Sequence, residues 1–264
     1  MTIQFYKYQG TGNDFVMIDD RAEKFPAEDH DLVKHLCHRR FGIGADGLIL
    51  LRNKAGYDFE MVYFNADGRL GSMCGNGGRC TVAFAKFLGV FQDKTKFLAA
   101  DGDHEATIER GLVSLKMNEV NGVECGTDFY FMNTGSPHYV TFGENVAEEN
   151  VFEKGRSIRY NDRFKQEGTN VNFAEMRTDK SLYIRTYERG VEDETYSCGT
   201  GVTASALAAS LKGLESPVKI ETPGGKLEVS FKKAGEHFTD IYLTGPAVQV
   251  FKGEVPAQMV EFLA

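Results

Sequence analysis

A short motif occurs twice in this chain: a cysteine stands directly before a glycine-rich turn that leads into small, helix-forming residues. The two copies are Cys74-Gly75-Asn76-Gly77 and Cys198-Gly199-Thr200-Gly201. We predict that each cysteine lies at the N-terminus of a helix. There the positive end of the helix dipole and the unpaired backbone N–H groups favour a thiolate. Such a repeat favours a chain built from two related halves.

The segments that follow the two cysteines predict buried helices. Gly77–Leu88 and Gly201–Leu211 are apolar or small on most faces, which is typical of a helix with no solvent-facing side. Strand-like alternation dominates elsewhere, as in Met61–Phe64 and Tyr183–Tyr187. We therefore predict an α+β fold of two pseudo-symmetric lobes, each a mostly antiparallel curved sheet or barrel wrapped around a central helix. Two further helices are predicted at Asp29–Arg40 and Asn145–Glu153.

The predicted boundary between the lobes lies close to Asn121-Gly122. Residues 1–118 form the N-terminal lobe, which carries Cys74, and residues 119–264 form the C-terminal lobe, which carries Cys198. A return of the tail, residues 251–264, to the first lobe is left open.

Because the two halves share little sequence identity, the repeat rests on the order of their features. We match Gly12-Asn13-Asp14-Phe15 with Thr169-Asn170-Val171-Asn172-Phe173, and Thr134-Gly135 with Thr244-Gly245.

Composition excludes several classes of function. The chain of 264 residues carries a formal net charge of −8, whereas a nucleic-acid partner usually requires a basic face. No signal peptide is visible at residues 1–10 and no apolar run is long enough to span a membrane. We therefore expect a cytoplasmic enzyme of small molecules, with neither nucleic acid nor membrane as a partner.

Five widely spaced cysteines favour neither a structural zinc site nor a disulfide framework. One copy of the motif alone would be typical of a tight turn around a structural cysteine, but its recurrence favours two working thiols. The other three, Cys37, Cys80 and Cys125, are interpreted as packing residues.

The helix end cannot by itself lower the pKa of a thiol to neutral pH. An exposed helix-end interaction supplies about 0.3–1 kcal/mol, which is less than the roughly 1.4 kcal/mol of one pKa unit. His138 and Glu188 are the candidate proton partners. The alternative for His138 is a loop histidine without a task. The Glu188-Arg189 pair is either a surface ion pair or a clamp for a carboxylate.

Seven short motifs are spread over nearly the whole chain: Gly12-Asn13-Asp14-Phe15, Gly42-Ile43-Gly44-Ala45-Asp46-Gly47, Phe64-Asn65-Ala66-Asp67-Gly68, Met73-Cys74-Gly75-Asn76-Gly77, Glu188-Arg189-Gly190, Ser197-Cys198-Gly199-Thr200-Gly201 and Pro223-Gly224-Gly225. Taken together, these motifs resemble the diaminopimelate epimerase family. Two departures stand out: Ser136 precedes Pro137-His138 where the family often has Asn, and Gly47 replaces a Gln of some members.

The resemblance implies an epimerase that uses no cofactor and no metal. It would interconvert LL- and meso-2,6-diaminopimelate on the route to lysine and peptidoglycan, and it would work as a homodimer. In one direction Cys198 would remove the α-proton as the base and Cys74 would return a proton as the acid. Two alternatives stay open: a racemase of another amino acid on the same fold, and a non-catalytic amino-acid-binding relative.

The same resemblance implies the remaining site residues. The reacting carboxylate would rest on backbone N–H groups of Gly75-Asn76 and Gly199-Thr200, which would stabilise the charge that develops in the carbanion. His138 and Glu188 would tune the thiols. The substrate would be held by Asn13, Asn65, Asn170, Glu188 and Arg189.

Overall fold

The structure, a computed structural model, describes residues 2–256. Within that range the chain forms two compact units: residues 2–115 with 246–256, and residues 116–245. The predicted lobe boundary between residues 118 and 119 stays a prediction. The same holds for the assignment of residues 246–250 to the C-terminal lobe. Residues 257–264 of the tail lie outside the described residues.

The first unit is a mixed sheet with two helices. Its strands β1 to β7 pair in chain order as antiparallel, parallel, antiparallel, parallel, antiparallel and antiparallel neighbours. The elements are β1 (Thr2–Gly10), β2 (Asn13–Asp19), α1 (His30–Cys37), β3 (Gly47–Arg52), β4 (Phe59–Asn65), α2 (Gly75–Phe87), β5 (Lys94–Ala99), β6 (Gly102–Glu109) and β7 (Leu112–Lys116).

The second unit has more elements but a similar core. They are β8 (Val120–Asn121), β9 (Glu124–Cys125), β10 (Tyr130–Asn133), β11 (Pro137–Phe142), a 3-10 helix (Val146–Glu148), α3 (Val151–Arg159), β12 (Asn170–Met176), β13 (Leu182–Glu188), β14 (Asp193–Thr195), α4 (Gly199–Leu211), β15 (Val218–Thr222), β16 (Gly225–Ala234) and β17 (His237–Pro246). The last strand, β18 (Val248–Pro256), belongs to the first unit and pairs antiparallel with β1.

The strand pairing of the second unit repeats that of the first. Neighbours in the series β10, β11, β12, β13, β15, β16 and β17 are again antiparallel, parallel, antiparallel, parallel, antiparallel and antiparallel. The predicted α+β class, with few helices and a mostly antiparallel sheet, is therefore confirmed.

This pairing corrects the predicted internal matching. Strand β2 corresponds to β11 and β3 to β12, so Asn13-Asp14-Phe15 is not the counterpart of the segment that begins at Asn170. The counterpart of Thr134-Gly135 is Thr11-Gly12, because both lie between the first two strands of the series, whereas Thr244-Gly245 lies inside β17. The order of features along a chain does not reveal which strands are parallel neighbours.

Each motif helix is the buried centre of its own unit. Helix α2 contacts β1, β2, β3 and β4, and α4 contacts β10, β11, β12, β13, β15 and β16. In α4 every residue from Gly201 to Ser210 is buried. The prediction of one buried helix in each half is confirmed.

The bounds of the helices differ from the predicted ones for local reasons. Helices α2 and α4 each begin two residues earlier, at Gly75 and Gly199, because the cysteine itself is the N-cap. Helix α1 ends at Cys37, since His38 is extended. The predicted helix Asn145–Glu153 is wrong, because that segment divides into the 3-10 helix and the start of α3.

Two of the three packing cysteines are confirmed. Cys37 and Cys80 are buried, and burial raises the pKa of the Cys37 thiol to about 12. The interpretation of Cys125 is wrong, because it lies exposed on β9, a strand of two residues. No helix within residues 2–256 has the length and apolarity needed to cross a membrane.

Candidate functional site

The first cysteine caps helix α2 with its sulfur. The Gly77 N–H donates to Cys74 Sγ over 3.1 Å, and the Gly78 N–H donates to the Cys74 carbonyl over 2.8 Å. A Cβ on Gly77 would lie 3.1 Å from that sulfur, so glycine permits the close approach. The prediction that Cys74 lies at a helix N-terminus is confirmed, and the N–H donor and the helix dipole there both favour the thiolate.

Two asparagine side chains lie beside Cys74. Asn13 Oδ1 is 3.9 Å from Cys74 Sγ and accepts from Asn76 Nδ2 over 3.4 Å. Asn13 Nδ2 in turn donates to Asp46 Oδ2 over 2.6 Å. The structure thus brings three predicted site residues together, while a fourth, Asn65, lies exposed at the end of β4.

An ionic network holds Asp46 and therefore Asn13. Arg39 pairs with Asp14 over 2.7 Å and with Asp46 over 2.6 Å, and Lys7 pairs with Asp14 over 2.7 Å. Burial raises the pKa of Asp14, but hydrogen bonds from Arg39 and Lys7 outweigh it and lower the pKa to about 2. None of these four residues is among the predicted site residues. Only Asp14 and Asp46 had a signal in the sequence, because their carboxylates lie inside two of the motifs that carry the resemblance.

The second cysteine is supported differently. Cys198 is the N-cap of α4, and its carbonyl accepts from the Val202 N–H over 2.8 Å. Its sulfur does not cap the helix backbone but lies 3.5 Å from the Thr200 hydroxyl. The predicted helix N-terminus is again confirmed.

A chain of hydrogen bonds leads from β12 to that hydroxyl. Asn172 Nδ2 donates to the Tyr139 carbonyl over 3.0 Å, and Asn172 Oδ1 accepts from Thr186 over 3.0 Å, which fixes the orientation of the amide. The same Nδ2 lies 3.1 Å from His138 Nδ1, and His138 Nε2 lies 2.9 Å from Thr200 Oγ1. His138 Nδ1 must then accept, Nε2 carries the proton and donates, and the Thr200 O–H is left to donate to Cys198.

Burial keeps His138 neutral. The side chain lies on β11 and is fully buried, so the alternative of a loop histidine is wrong. Burial, followed by repulsion from Arg189, lowers the pKa of His138 to about 3. A neutral imidazole is what the hydrogen-bond directions require. His138 therefore reaches Cys198 through Thr200.

Asn170 ties two backbone segments together. Its Nδ2 donates to Ser136 Oγ over 2.7 Å and to the Pro137 carbonyl over 3.1 Å, and its Oδ1 accepts from the Arg189 N–H over 2.8 Å. The serine that departs from the family pattern is thus one of its acceptors. This side chain positions the segment before His138.

Glu188 is the last residue of β13, and Arg189 follows it. Glu188 Oε2 accepts from the Thr195 hydroxyl over 2.9 Å, and the Arg189 guanidinium donates to the Glu167 carbonyl over 2.8 Å. Their roles toward a thiol or a substrate stay predictions, as do those of Asn13, Asn65, Asn170 and the amides of both motifs.

The two motif helices share one further detail. Seven residues after each cysteine, Thr81 and Ser205 donate to the carbonyls of Gly77 and Gly201, each over 2.8 Å. Thus the repeat extends into the second turn of each helix. Among residues 2–256, no group of three or more His, Cys, Asp or Glu side chains is placed to hold a metal ion.

The chain matches a family model described as diaminopimelate epimerase over residues 5–121 and 130–250. It is 52% identical over 253 residues to the diaminopimelate epimerase of Flavobacterium psychrophilum, covering 95% of this chain and 99% of that protein. It is 38% identical over 289 residues to the diaminopimelate epimerase of Aquifex aeolicus, covering 98% and 100%.

Among solved structures, a PhzF-family phenazine biosynthesis protein of Bacillus anthracis has a similar fold. The TM-score is 0.77 at 13% identity, covering 97% of this chain and 99% of that one. This likeness concerns the fold, whereas the sequence matches concern the family. The chain therefore belongs to the diaminopimelate epimerase family of isomerases.

Proposed function

We propose that the protein interconverts LL-2,6-diaminopimelate and meso-2,6-diaminopimelate by proton transfer between one α-carbon and two cysteines. The observation that carries this proposal is that two equivalent helices each begin with a cysteine at a glycine-rich N-terminus. A binding protein needs neither thiol. Membership of the family supports the choice of substrate.

The chemistry needs one acid and one base. The Cys198 thiolate takes the α-proton, the electron pair of the C–H bond stays on the carbon, and the Cys74 thiol then supplies a proton to the opposite face. Cys198 ends as a thiol and Cys74 as a thiolate, so the reverse reaction begins with the roles exchanged. General acid–base catalysis of this kind contributes about 10²–10⁴-fold.

The first amides of each helix suit the developing charge. Gly75-Asn76 and Gly199-Thr200 are the first two residues of α2 and α4, and N–H groups there have no acceptor within the helix. They would hold the carboxylate of the substrate as negative charge moves onto it. From the family resemblance, the rest of the substrate would be held by Asn13, Asn65, Asn170, Glu188 and Arg189.

From the family alone we further infer the setting of the reaction. The protein would work without pyridoxal phosphate or a metal, as a homodimer in the cytoplasm, and would supply precursors of lysine and peptidoglycan.

The test is incubation of the purified protein with LL-diaminopimelate in D₂O, followed by chiral separation and mass spectrometry. We expect meso product that carries deuterium at the inverted α-carbon. Deuterium incorporation confined to another amino acid would indicate a racemase of different specificity. No incorporation into any amino acid would indicate a binding protein. Substitution of the exposed Cys125 by serine is the matched control and should leave the exchange unchanged.

A further inference from the structure

Helix α2 carries a buried cation that the proposed reaction has not used. Arg79 is 0% exposed. Its guanidinium donates to Asn76 Oδ1 over 3.0 Å, to the Thr11 hydroxyl over 3.1 Å and to the Gly75 carbonyl over 3.3 Å. All three acceptors are neutral, and Arg79 Nε is buried without a hydrogen-bond partner within residues 2–256. A buried cation of this kind is costly unless an anion compensates it.

The ionisable neighbours of this cation are thiols. Burial lowers the pKa of Arg79, and among the described residues the charges that oppose the shift are those of Cys80 and Cys74. Cys80 is fully buried, and burial raises the pKa of its thiol, so it stays neutral. Cys74 is half-buried and already accepts an N–H. Cys74 is therefore the thiol that can ionise beside Arg79.

Charged groups on the neighbouring strands leave this pairing intact. Asp14 on β2 is held by Lys7 of β1 and by Arg39, so its charge is compensated. Tyr8 of β1 stays neutral, because burial raises the pKa of its hydroxyl to about 12.

We propose that Arg79 is a positioning residue that favours the thiolate of Cys74. It acts by two routes. Its positive charge lies in a region of low dielectric, where it attracts the thiolate more strongly than it would in water. Its bond to Asn76 Oδ1 also turns Asn76 Nδ2 toward Asn13, the residue beside the sulfur.

The second motif shows that the cation is a local addition. Five residues after Cys198, at the position equivalent to Arg79, Thr203 donates to the Gly199 carbonyl over 3.0 Å. Arg79 donates to the corresponding carbonyl, that of Gly75. The hydrogen bond is common to both helices, but the charge belongs to the first. This contrast provides an internal control.

The experiment measures the pKa of each thiol in the full-length protein. The rate of iodoacetamide alkylation is followed from pH 5 to 10, with peptide mass spectrometry separating Cys74 from Cys198. In the Arg79→Met variant we expect the pKa of Cys74 to rise by at least about one unit, so that alkylation below that pKa slows about tenfold. Arg79→Lys should restore most of the shift, and Cys198 should keep its profile in both variants.

The wild-type protein keeps the inference testable if the methionine variant does not fold. The thiol of Cys74 must titrate below the roughly 8.5 of a free cysteine, and a value at or above it overturns the proposal. An unchanged Cys74 profile in folded Arg79→Met does the same, and so does an equal shift at Cys198.

The importance of Cys74 rests on the proposed function, but this titration uses no substrate. Loss of the predicted shift with deuterium exchange intact would therefore reject the role of Arg79 alone. A wild-type protein that exchanges nothing would reject the epimerase and leave the titration valid.

Discussion

The two cysteine motifs have the same backbone and different surroundings. In both, the cysteine carbonyl accepts the first helical hydrogen bond over 2.8 Å, and a hydroxyl seven residues after the cysteine donates to the carbonyl of the glycine three residues after the cysteine. Around Cys74 the support comes from the Gly77 N–H and the buried Arg79. Around Cys198 it comes from the hydroxyl of Thr200.

The comparison indicates that the repeat preserves geometry while the means of stabilising a thiolate diverge. A hydrogen bond to a charged group contributes about 1.5–3 kcal/mol, enough to shift a thiol by one to two pKa units at roughly 1.4 kcal/mol each. Either arrangement can therefore supply what the helix end alone lacks. The variants below test whether the two motifs are equivalent in function despite this difference.

The largest effect is expected from the cysteines themselves. Cys74→Ala and Cys198→Ala should each slow epimerisation by about 10²–10⁴-fold, because each removes an acid–base group. Chiral chromatography of the product from either isomer measures the rate. Near-wild-type turnover in one variant would show that only the other cysteine is needed. That result would contradict a mechanism with two catalytic thiols.

The Thr200 hydroxyl comes next. Thr200→Val removes the donor to Cys198 and keeps the shape of the side chain, so we expect the pKa of Cys198 to rise and the rate to fall by about 10–100-fold. The pKa of Cys74 should not change. Thr200→Ser keeps the hydroxyl and is the matched control. The alkylation profile of both cysteines measures the effect, and a serine variant as impaired as the valine variant would contradict the hydrogen-bond role.

The buried histidine predicts a dependence of stability on pH. His138 has a pKa near 3 in the folded state and about 6.5 when unfolded, so the unfolded chain binds the extra proton. As pH falls from 6.5 toward 4, the free energy of unfolding should decrease by up to about 1.4 kcal/mol per pH unit from this group.

Urea unfolding at several pH values measures that slope. His138→Gln should flatten it, whereas replacing the exposed His237 by Gln should not. Asp14, with its pKa lowered to about 2, loses its contribution only below about pH 3.9. Carboxylates are common to both proteins, so the difference in slope between wild type and His138→Gln reports on the second motif. An equal slope in wild type and His138→Gln would mean that His138 is charged in the folded protein.

The smallest effect is expected at the equivalent hydroxyls of the second turn. Thr81→Val and Ser205→Ala each remove a hydrogen bond to a carbonyl that the helix already satisfies, so each should change the free energy of unfolding by less than about 1 kcal/mol. Urea denaturation measures both. Changes that differ by more than about 1 kcal/mol would show that the two helices are not equivalent in packing.

The sequence predicts the parts of the fold that depend on local patterns. The two cysteines, the glycines after them and the apolar helices that follow predict the centre of each unit, because a helix end and a buried helix have local signatures. The pairing of strands is not local, which is why Thr134-Gly135 was matched with the wrong segment.

The supporting residues of the site illustrate the same limit. Pro137 suggested a loop around His138, although His138 is a buried residue of strand β11. Arg79 stands two residues after the first cysteine motif, yet only its burial distinguishes it from a solvated arginine. Hydrogen-bond partners such as Asn172 come from distant strands, so no spacing in the chain predicts them.

The pairing of β18 with β1 has a consequence for synthesis. A ribosome emits residues 116–245, a complete compact unit, before it emits the strand that pairs with β1. The first unit therefore cannot complete its sheet until β18 has been synthesised, which happens after the whole of the second unit. Strand β1 offers an open hydrogen-bonding edge during that interval, and such edges favour pairing with other chains. Chaperone capture of the nascent protein should therefore concentrate on β1.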